Sequence, residues 1–558
     1  MAERTAWRPP WYAWLVLAAG VLWLVHSRMP WLLQGHYLFL AGTALVALLL
    51  VLAALWELAP ASMMCGAIVL TVFSGSWVAM GFPGFPFLPD RILLVGVLLA
   101  LWLHSPGTAG LPRARVRGVH LLLALTVLYA CASAAAAGTL TSKAGIFDLL
   151  DRLGVIPFLM LLVAPVIFAG ARERSMLLAT LVGLGGYLGI TAVFETIGPH
   201  ALVFPHYIAA SDALTPNRQA GGPFQAPITE GFACFACGVA AAIALARWRG
   251  GRRLLAGTVL VLCTLGTFLT LERGVWVAGA AGLLAAGLFA RELRRFIVPA
   301  VLACALIVGG VLLASPTLAG RAGTRSADKI PVWDRQNQTA AALRMIAAKP
   351  LFGFGWDSYA KRSSEYFRQA ATYPMTGLST PKDPLPLHNS YLSYAVELGL
   401  VGALLWLACL CWGVGGAVAL GTAPELRAWR LGLIALGSFF AVLAFFNPLQ
   451  QNFTELLLWT WAGLLLCPPA WMPQPAGESE PEAITQPEPA AETEPRPEPG
   501  PEPKPELEPQ PQAQSEPEPE PEPDRDPEPQ REREREAEPT PLSSALAESV
   551  FGRAPARC

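Results

Sequence analysis

The sequence predicts an all-α protein: a polytopic bundle of about 12–14 transmembrane helices, one large loop on the outer side and a disordered C-terminal tail. Three observations support this class. The 558 residues are 54% hydrophobic and 15% charged, with a mean hydropathy of +0.44, which is far more apolar than a soluble protein. Apolar runs recur along the chain up to about residue 470, and a Pro/Glu-rich segment follows them.

The apolar runs are long enough to cross a bilayer core as helices, at about 17 to 23 residues each. Fourteen are predicted, near residues 11–27, 36–57, 61–80, 91–104, 119–137, 153–169, 176–197, 229–246, 254–271, 274–290, 296–314, 391–413, 431–447 and 453–470. The fourth is short and the ninth nearly touches the tenth, so the count is about 12–14.

The distribution of basic residues predicts the orientation. With the N-terminus inside, the inner segments carry 16 Lys and Arg residues against six on the short outer connections, and inner loops are the ones that carry excess positive charge. Both termini are therefore predicted to lie inside. Residues 315–390 then form the one extramembrane segment large enough to fold over a site.

Four regions follow. Residues 1–314 hold helices 1 to 11, residues 315–390 form the outer loop with short interfacial helices, and residues 391–472 hold helices 12 to 14. In the outer loop, "NQTAAALRMIAAKP" and "DSYAKRSSEYFRQAA" have helical spacing of apolar residues on either side of the turn "LFGFGW".

Residues 473–558 form a Pro/Glu tail that buries too little apolar surface to become ordered. We interpret it as a solvated cytoplasmic spacer, and a docking arm for a cytoplasmic partner is the alternative. Nine of the ten cysteines lie inside apolar runs, which indicates no disulfide framework. Cys234 and Cys237 form a CxxC pattern that we read as small apolar membrane residues rather than a redox or metal pair.

Three ionisable residues at predicted outer ends of helices are candidates for function. Arg218 and Arg273 each offer a planar, permanently charged guanidinium suited to a phosphate, although a loop charge and a snorkelling anchor are the simpler interpretations. His388 precedes a helix whose N-cap is Asn389 or Ser390, where a neutral imidazole beside an anion site suits a general base. No convincing metal cluster and no nucleotide-phosphate loop stand out in the outer segments.

Four segments in this order carry a resemblance to a known family: "NRQAGGPFQAPITEGF", "LTLERGVWVAG", "AALRMIAAKPLFGFGWDSY" and "LPLHNSYLSYAVELGLVGALLWL". The third resembles a "PLFGxG" turn and the fourth an "HNxYLxxxxExGxxG" signature. The chain resembles the O-antigen ligase and O-antigen polymerase superfamily of bacterial glycan-transfer membrane proteins, through these motifs over about residues 200–415.

The resemblance implies an inverting, metal-independent glycosyl transfer at the periplasmic face of the bacterial inner membrane, from an undecaprenyl-pyrophosphate-linked glycan. It implies that His388 activates the acceptor hydroxyl and that Arg218 and Arg273 bind the pyrophosphate. No cofactor and no nucleic-acid partner are expected; the partners are the lipid-linked donor, membrane lipid, and an acceptor glycan or lipid A core. Further substrate-binding candidates are Arg335, Arg344, Asn389 and Glu397, the last of which is alternatively a buried partner for an arginine.

Fourteen predicted spans, against the twelve expected of the ligases, favour a polymerase or a divergent branch. A lipid-linked oligosaccharide flippase or another transporter is the main competing interpretation, and it predicts matched halves with broken helices, which the sequence does not display. A non-catalytic assembly scaffold acting through the tail is the third.

Overall fold

The computed structural model describes residues 59–74, 89–103, 115–139, 149–210, 219–367, 387–449 and 452–466. Within these ranges every regular element is a helix, and no strand occurs. The predicted spans near 11–27 and 36–57 and the Pro/Glu tail lie outside the described residues. The all-α class is confirmed.

Seventeen α-helices follow one another through the described residues. They are α1 Pro60–Thr71, α2 Pro89–Leu103, α3 Gly118–Ala137, α4 Ile156–Ile167, α5 Ala171–Thr196, α6 Tyr207–Ala210, α7 Pro227–Arg247, α8 Gly250–Leu269, α9 Arg273–Phe289, α10 Arg291–Ala314, α11 Pro316–Ala327, α12 Ile330–Ala348, α13 Tyr359–Tyr366, α14 Ser390–Leu410, α15 Gly416–Leu420, α16 Arg427–Phe446 and α17 Asn452–Leu465. Short π-helical segments, Leu149–Val155 and Cys411–Gly415, precede α4 and α15.

Each of the twelve predicted spans that lie wholly or partly in the described ranges overlaps one of these helices there. Six helical stretches there are long and apolar enough to cross a membrane. They are Gly118–Ala137, Ala171–Thr196, Pro227–Arg247, Gly250–Leu269, Ser390–Leu420 and Pro424–Phe446. A seventh is possible if the bent pair Leu302–Ala314 and Pro316–Thr324 counts as one span, and three shorter apolar helices accompany them. The chain is a polytopic membrane protein, and its full span count and its orientation stay predictions.

Small residues let the central helices approach closely, as is usual where helices pack in a membrane. A methyl group on Gly185 of α5 would lie 2.8 Å from both Cys237 of α7 and Cys263 of α8. All three helices pack together there, and Cys234, Cys237 and Cys263 are buried and unpaired. The cysteines of the CxxC pattern therefore serve as small buried packing residues.

A second pair of helices, α9 and α16, also packs closely. A methyl group on Gly282 would lie 2.7 Å from the Ala435 carbonyl oxygen. At the other end of α9, a methyl group on Gly274 would lie 3.0 Å from the Asn447 side chain. The first turn of α9 therefore lies directly against the last turn of α16.

Residues 315–390, the segment predicted to form the outer loop, follow a bend of 110° between α10 and α11. The Ser315 hydroxyl caps α11 by accepting a hydrogen bond from the Leu318 backbone nitrogen at 3.4 Å. Helix α11 was not predicted separately. Helix α12 begins seven residues before the predicted segment, with Pro331 in its first turn, where a missing N–H is harmless. Helix α13 covers the middle of the second predicted segment.

Candidate functional site

A cavity of about 740 Å³ lies between α9, α12, the start of α14 and the end of α16. The N-terminal part of α9, the last turn of α16 and one face of α12 all contribute to its lining. Its lining residues are Arg273, Gly274, Val277, Val332, Arg335, Gln336, Thr339, Ala340, Leu343, His388, Asn389, Tyr391, Leu392, Phe445 and Phe446. Four of the seven residues singled out in the sequence, Arg273, Arg335, His388 and Asn389, therefore share one cavity.

Two arginines line this cavity from different helices. Arg273 is the first residue of α9, and helix N-termini favour anions. Arg335 lies on α12, and its Nη2 is 3.9 Å from Glu272 Oε2, a long contact that holds the guanidinium near α9. Both sources of positive charge thus face the same space.

Arg218 lies outside the described residues, which resume at Gln219. The Gln219 side chain donates to Glu272 Oε1 at 3.4 Å, and the Ala220 backbone nitrogen donates to the Leu269 carbonyl oxygen at 3.0 Å. Glu195, at the end of α5, accepts hydrogen bonds from the backbone nitrogens of Gly221 and Gly222 at 3.1 and 2.9 Å. Residues 219 and 220, which follow Arg218, are therefore hydrogen-bonded to the segment that directly precedes Arg273.

The residues around the start of α14 have different roles: one caps the helix, one bonds to α16, and His388 lines the cavity. Asn389 is the N-cap: its side-chain oxygen accepts from the Leu392 backbone nitrogen at 3.0 Å. Ser390 instead ties α14 to α16, because its hydroxyl donates to the Asn447 carbonyl oxygen at 3.0 Å. The predicted cap is present. His388 immediately precedes this N-cap, is half-buried and lines the cavity.

His388 has a buried side-chain partner that the sequence did not single out. Its Nδ1 lies 3.0 Å from Gln338 Oε1, and its backbone nitrogen donates to the same oxygen at 3.3 Å. Gln338 in turn donates through Nε2 to Asp334 Oδ2 at 3.0 Å. The relevant signal was the (i, i+4) spacing of two polar residues, Asp334 and Gln338, on one face of a helix in "DRQNQT".

One further polar side chain, Tyr359, lies near Asp334. Tyr359 is buried; burial raises the pKa of its phenol, and the nearby Asp334 carboxylate adds to the rise. The Tyr359 hydroxyl has no hydrogen-bond partner among the described residues. Tyr359 therefore stays protonated beside the Asp334 carboxylate across the physiological pH range.

Arg344 and Glu397 do not line the cavity. Arg344 Nη1 donates to the Tyr366 carbonyl oxygen at 2.9 Å, which ties α12 to α13. Glu397 Oε1 accepts from the Tyr359 backbone nitrogen at 3.3 Å. In this arrangement both side chains contact the outer loop rather than the space beside His388, and their substrate-binding roles stay predictions.

In the described ranges, no group of three or more His, Cys, Asp or Glu side chains is arranged to hold a metal ion. The polar groups that line the cavity are two arginines, two amides, two hydroxyls and one imidazole. This set can bind an anion and accept a proton.

Comparison with known proteins gives one family. Residues 258–407 match the family model described as O-antigen ligase, and no curated protein matches the chain. The matched segment runs from α8 to α14 and contains every described residue that lines the cavity except Phe445 and Phe446. Residues 258–407 therefore carry an O-antigen ligase domain, and the resemblance of the chain to the O-antigen ligase and polymerase superfamily, a family of glycan-transfer membrane proteins, is confirmed.

Proposed function

We propose that this protein transfers a glycan from an undecaprenyl-pyrophosphate donor to an acceptor hydroxyl, with inversion at the anomeric carbon, at the outer face of the bacterial inner membrane. One observation carries the proposal: His388, Arg273 and Arg335 come from three separate stretches of the chain and line one cavity. The family match supports O-antigen ligase-type transfer in general.

The cavity suits both parts of such a donor. Arg273 and Arg335 supply guanidinium groups that bind phosphate oxygens in a bidentate manner, and the N-terminus of α9 adds its positive dipole. Apolar side chains at the rim, Val277, Leu343 and Phe445, are about half exposed and line the same cavity. These side chains would contact the isoprenoid chain beside the bilayer.

The reaction is a single displacement. His388 takes the proton from the acceptor hydroxyl while the oxygen attacks the anomeric carbon and the bond to the phosphate oxygen breaks. The leaving lipid pyrophosphate keeps the bonding electrons, and the arginines stabilise its charge. Because the leaving group is already activated, a base and fixed positive charges suffice, and we propose that the protein uses neither a metal ion nor another cofactor.

Arg218 is the third proposed cation. It directly precedes Gln219, which contacts Glu272, the neighbour of Arg273. In this proposal the residues divide as predicted: 1–314 and 391–472 form the membrane domain, 315–390 the periplasmic loop over the site, and 473–558 a cytoplasmic spacer. Both termini lie inside.

The decisive experiment is reconstitution of the purified protein with a lipid-pyrophosphate oligosaccharide, first alone and then with candidate acceptors such as lipid A core. A ladder of lengthening glycan without added acceptor identifies a polymerase. One transfer to an added acceptor identifies a ligase, and a protein hydroxyl is the third acceptor to test. Movement of the donor across the bilayer without any transfer would instead identify a flippase.

A further inference from the structure

Gln338 is the buried partner that fixes the side chain of His388. It is fully buried on α12, fifty residues before His388 in the chain. Its Oε1 lies within hydrogen-bond distance of both Nδ1 and the backbone nitrogen of His388, at 3.0 and 3.3 Å. One side chain therefore holds both the position and the rotation of the imidazole.

The His388 backbone nitrogen and Asp334 together determine which way the Gln338 amide points. The backbone N–H of His388 can only donate, so the Gln338 atom 3.3 Å from it is the carbonyl oxygen, and the NH₂ lies 3.0 Å from Asp334 Oδ2. The carbonyl oxygen of Gln338 then faces His388. That oxygen only accepts, so His388 Nδ1 is the nitrogen that carries the proton in the neutral ring, and the lone pair resides on Nε2.

We propose that Gln338 is a positioning residue that holds His388 in the Nδ1–H tautomer, with Asp334 fixing the Gln338 amide, so that Nε2 accepts the proton of the acceptor hydroxyl. This inference rests on the proposed function, in which His388 is the base. The proton moves from the hydroxyl oxygen to Nε2, and the ring becomes an imidazolium with protons on both nitrogens. Gln338 Oε1 keeps its hydrogen bond to Nδ1 throughout, and Asp334 takes no part in the proton transfer.

A purely structural role is the competing explanation, since the same amide also ties α12 to the backbone before α14. Two variants separate the roles. Gln338→Met keeps the size of the side chain but removes the acceptor. The exchange Asp334→Asn with Gln338→Glu moves the carboxylate from position 334 to position 338, so that the net charge and the acceptor toward Nδ1 are both retained.

We expect Gln338→Met to lower the turnover number about 10- to 100-fold, the range known for loss of the hydrogen-bond partner of a metal-bound histidine, with little change in the donor KM. The exchanged pair should recover most of that loss. It should also move the acidic limb of the pH–rate profile to higher pH, because a carboxylate beside Nδ1 favours the protonated ring. A wild-type turnover number and pH profile in both the Met variant and the exchanged pair would overturn the proposal.

Solid-state NMR on ¹⁵N-histidine-labelled protein provides a readout that does not depend on activity. The chain has seven histidines, so the His388 signals are assigned by comparison with His388→Ala. At a pH where the ring is neutral, we expect the proton on Nδ1 in the wild type and a changed tautomer population in Gln338→Met. A proton on Nε2 in the wild type would refute the positioning role.

The role of His388 as base and the role of Gln338 as positioning residue are refuted by different results. If His388→Ala transfers glycan at the wild-type rate, the proposed base is wrong, and the positioning role of Gln338 in the reaction is lost with it. If His388→Ala is inactive while Gln338→Met is unchanged in rate, pH profile and tautomer, only the role of Gln338 is refuted.

Discussion

Asn389 Oδ1 accepts a hydrogen bond from the Leu392 backbone nitrogen at 3.0 Å while the same side chain lines the cavity. The two roles use different atoms, since the cap uses the oxygen and the amide nitrogen remains for a substrate. Substitutions at this one position therefore separate helix stability from donor binding.

Asn389→Ala should lower the free energy of unfolding by about 1 kcal/mol, because the cap is lost. Asn389→Asp keeps a capping oxygen, so its thermal midpoint should stay near that of the wild type. It should nevertheless raise the donor KM, because a carboxylate in the cavity repels the pyrophosphate. Thermal unfolding in detergent and transfer kinetics measure the two effects, and an unchanged donor KM in Asn389→Asp would argue against pyrophosphate near this residue.

His388→Ala should stop glycan transfer while the protein remains folded and inserted, so that lipid-linked donor accumulates. Removing a general base typically slows a reaction about 100- to 10,000-fold. His206→Ala is the matched control, because His206 is exposed and does not line the cavity; its transfer rate should be normal. Full transfer by purified His388→Ala protein would contradict the proposed base.

Arg273→Lys and Arg335→Lys should each raise the donor KM roughly tenfold, because lysine keeps the charge but loses the bidentate fork. We expect the same of Arg218→Lys. Arg344→Lys is a useful comparison: Arg344 bonds to the Tyr366 carbonyl oxygen instead of lining the cavity, so its donor KM should change little. Direct binding of labelled donor measures these effects, and wild-type donor affinity in Arg273→Lys, Arg335→Lys and Arg218→Lys would remove the argument for a pyrophosphate clamp.

The sequence was sufficient for the helical class, for the positions of most of the described helices and for four residues of the cavity, whereas α11 was not predicted separately. Apolar run length indicated the spans because a bilayer imposes that length on a helix. The polar pair before α14, His388 and Asn389, was recognisable because placing ionisable and amide groups beside a membrane-spanning apolar run costs free energy. Arg273 and His388 are 115 positions apart, so their meeting was predicted from their common side of the membrane and from the family resemblance.

The partners of these residues were not predictable in the same way. Gln338 lies in a helix of mixed polarity, and its (i, i+4) spacing from Asp334 is a local signal that does not tell a buried amide from an exposed one. Arg335 and Arg344 are nine residues apart on α12, which puts them on opposite faces of the helix, but the sequence does not tell which of the two faces borders the cavity. Glu397 was expected near substrate, but its contact with the Tyr359 backbone depends on how the outer loop folds back onto α14.

That fold-back meets α14 at Gly399. Helix α14 breaks at Gly399, where φ is +69°, a value that favours glycine.

The loop after α12 satisfies the backbone groups on both sides of this break. Phe354 and Gly355 donate to the carbonyl oxygens of Val396 and Glu397 at 2.9 and 2.8 Å, and the Leu400 nitrogen donates to the Pro350 carbonyl oxygen at 2.8 Å. These bonds set the distance between α12, which carries Gln338, and α14, which begins beside His388.

A methyl group on Gly399 would lie 2.1 Å from the Leu351 carbonyl oxygen, so Gly399→Ala forces the loop away from α14. We expect the substitution to destabilise the protein by more than about 1 kcal/mol, since alanine also strains the positive φ. Gly183→Ala is the control, because a methyl group there, inside α5, meets nothing within 4 Å, and it should be neutral or slightly stabilising.

If the loop does hold α12 in place, Gly399→Ala should lower the turnover number at temperatures where the protein is still folded, and the ¹⁵N signals of His388 should shift. Normal transfer at those temperatures would show that the site is held together without this contact.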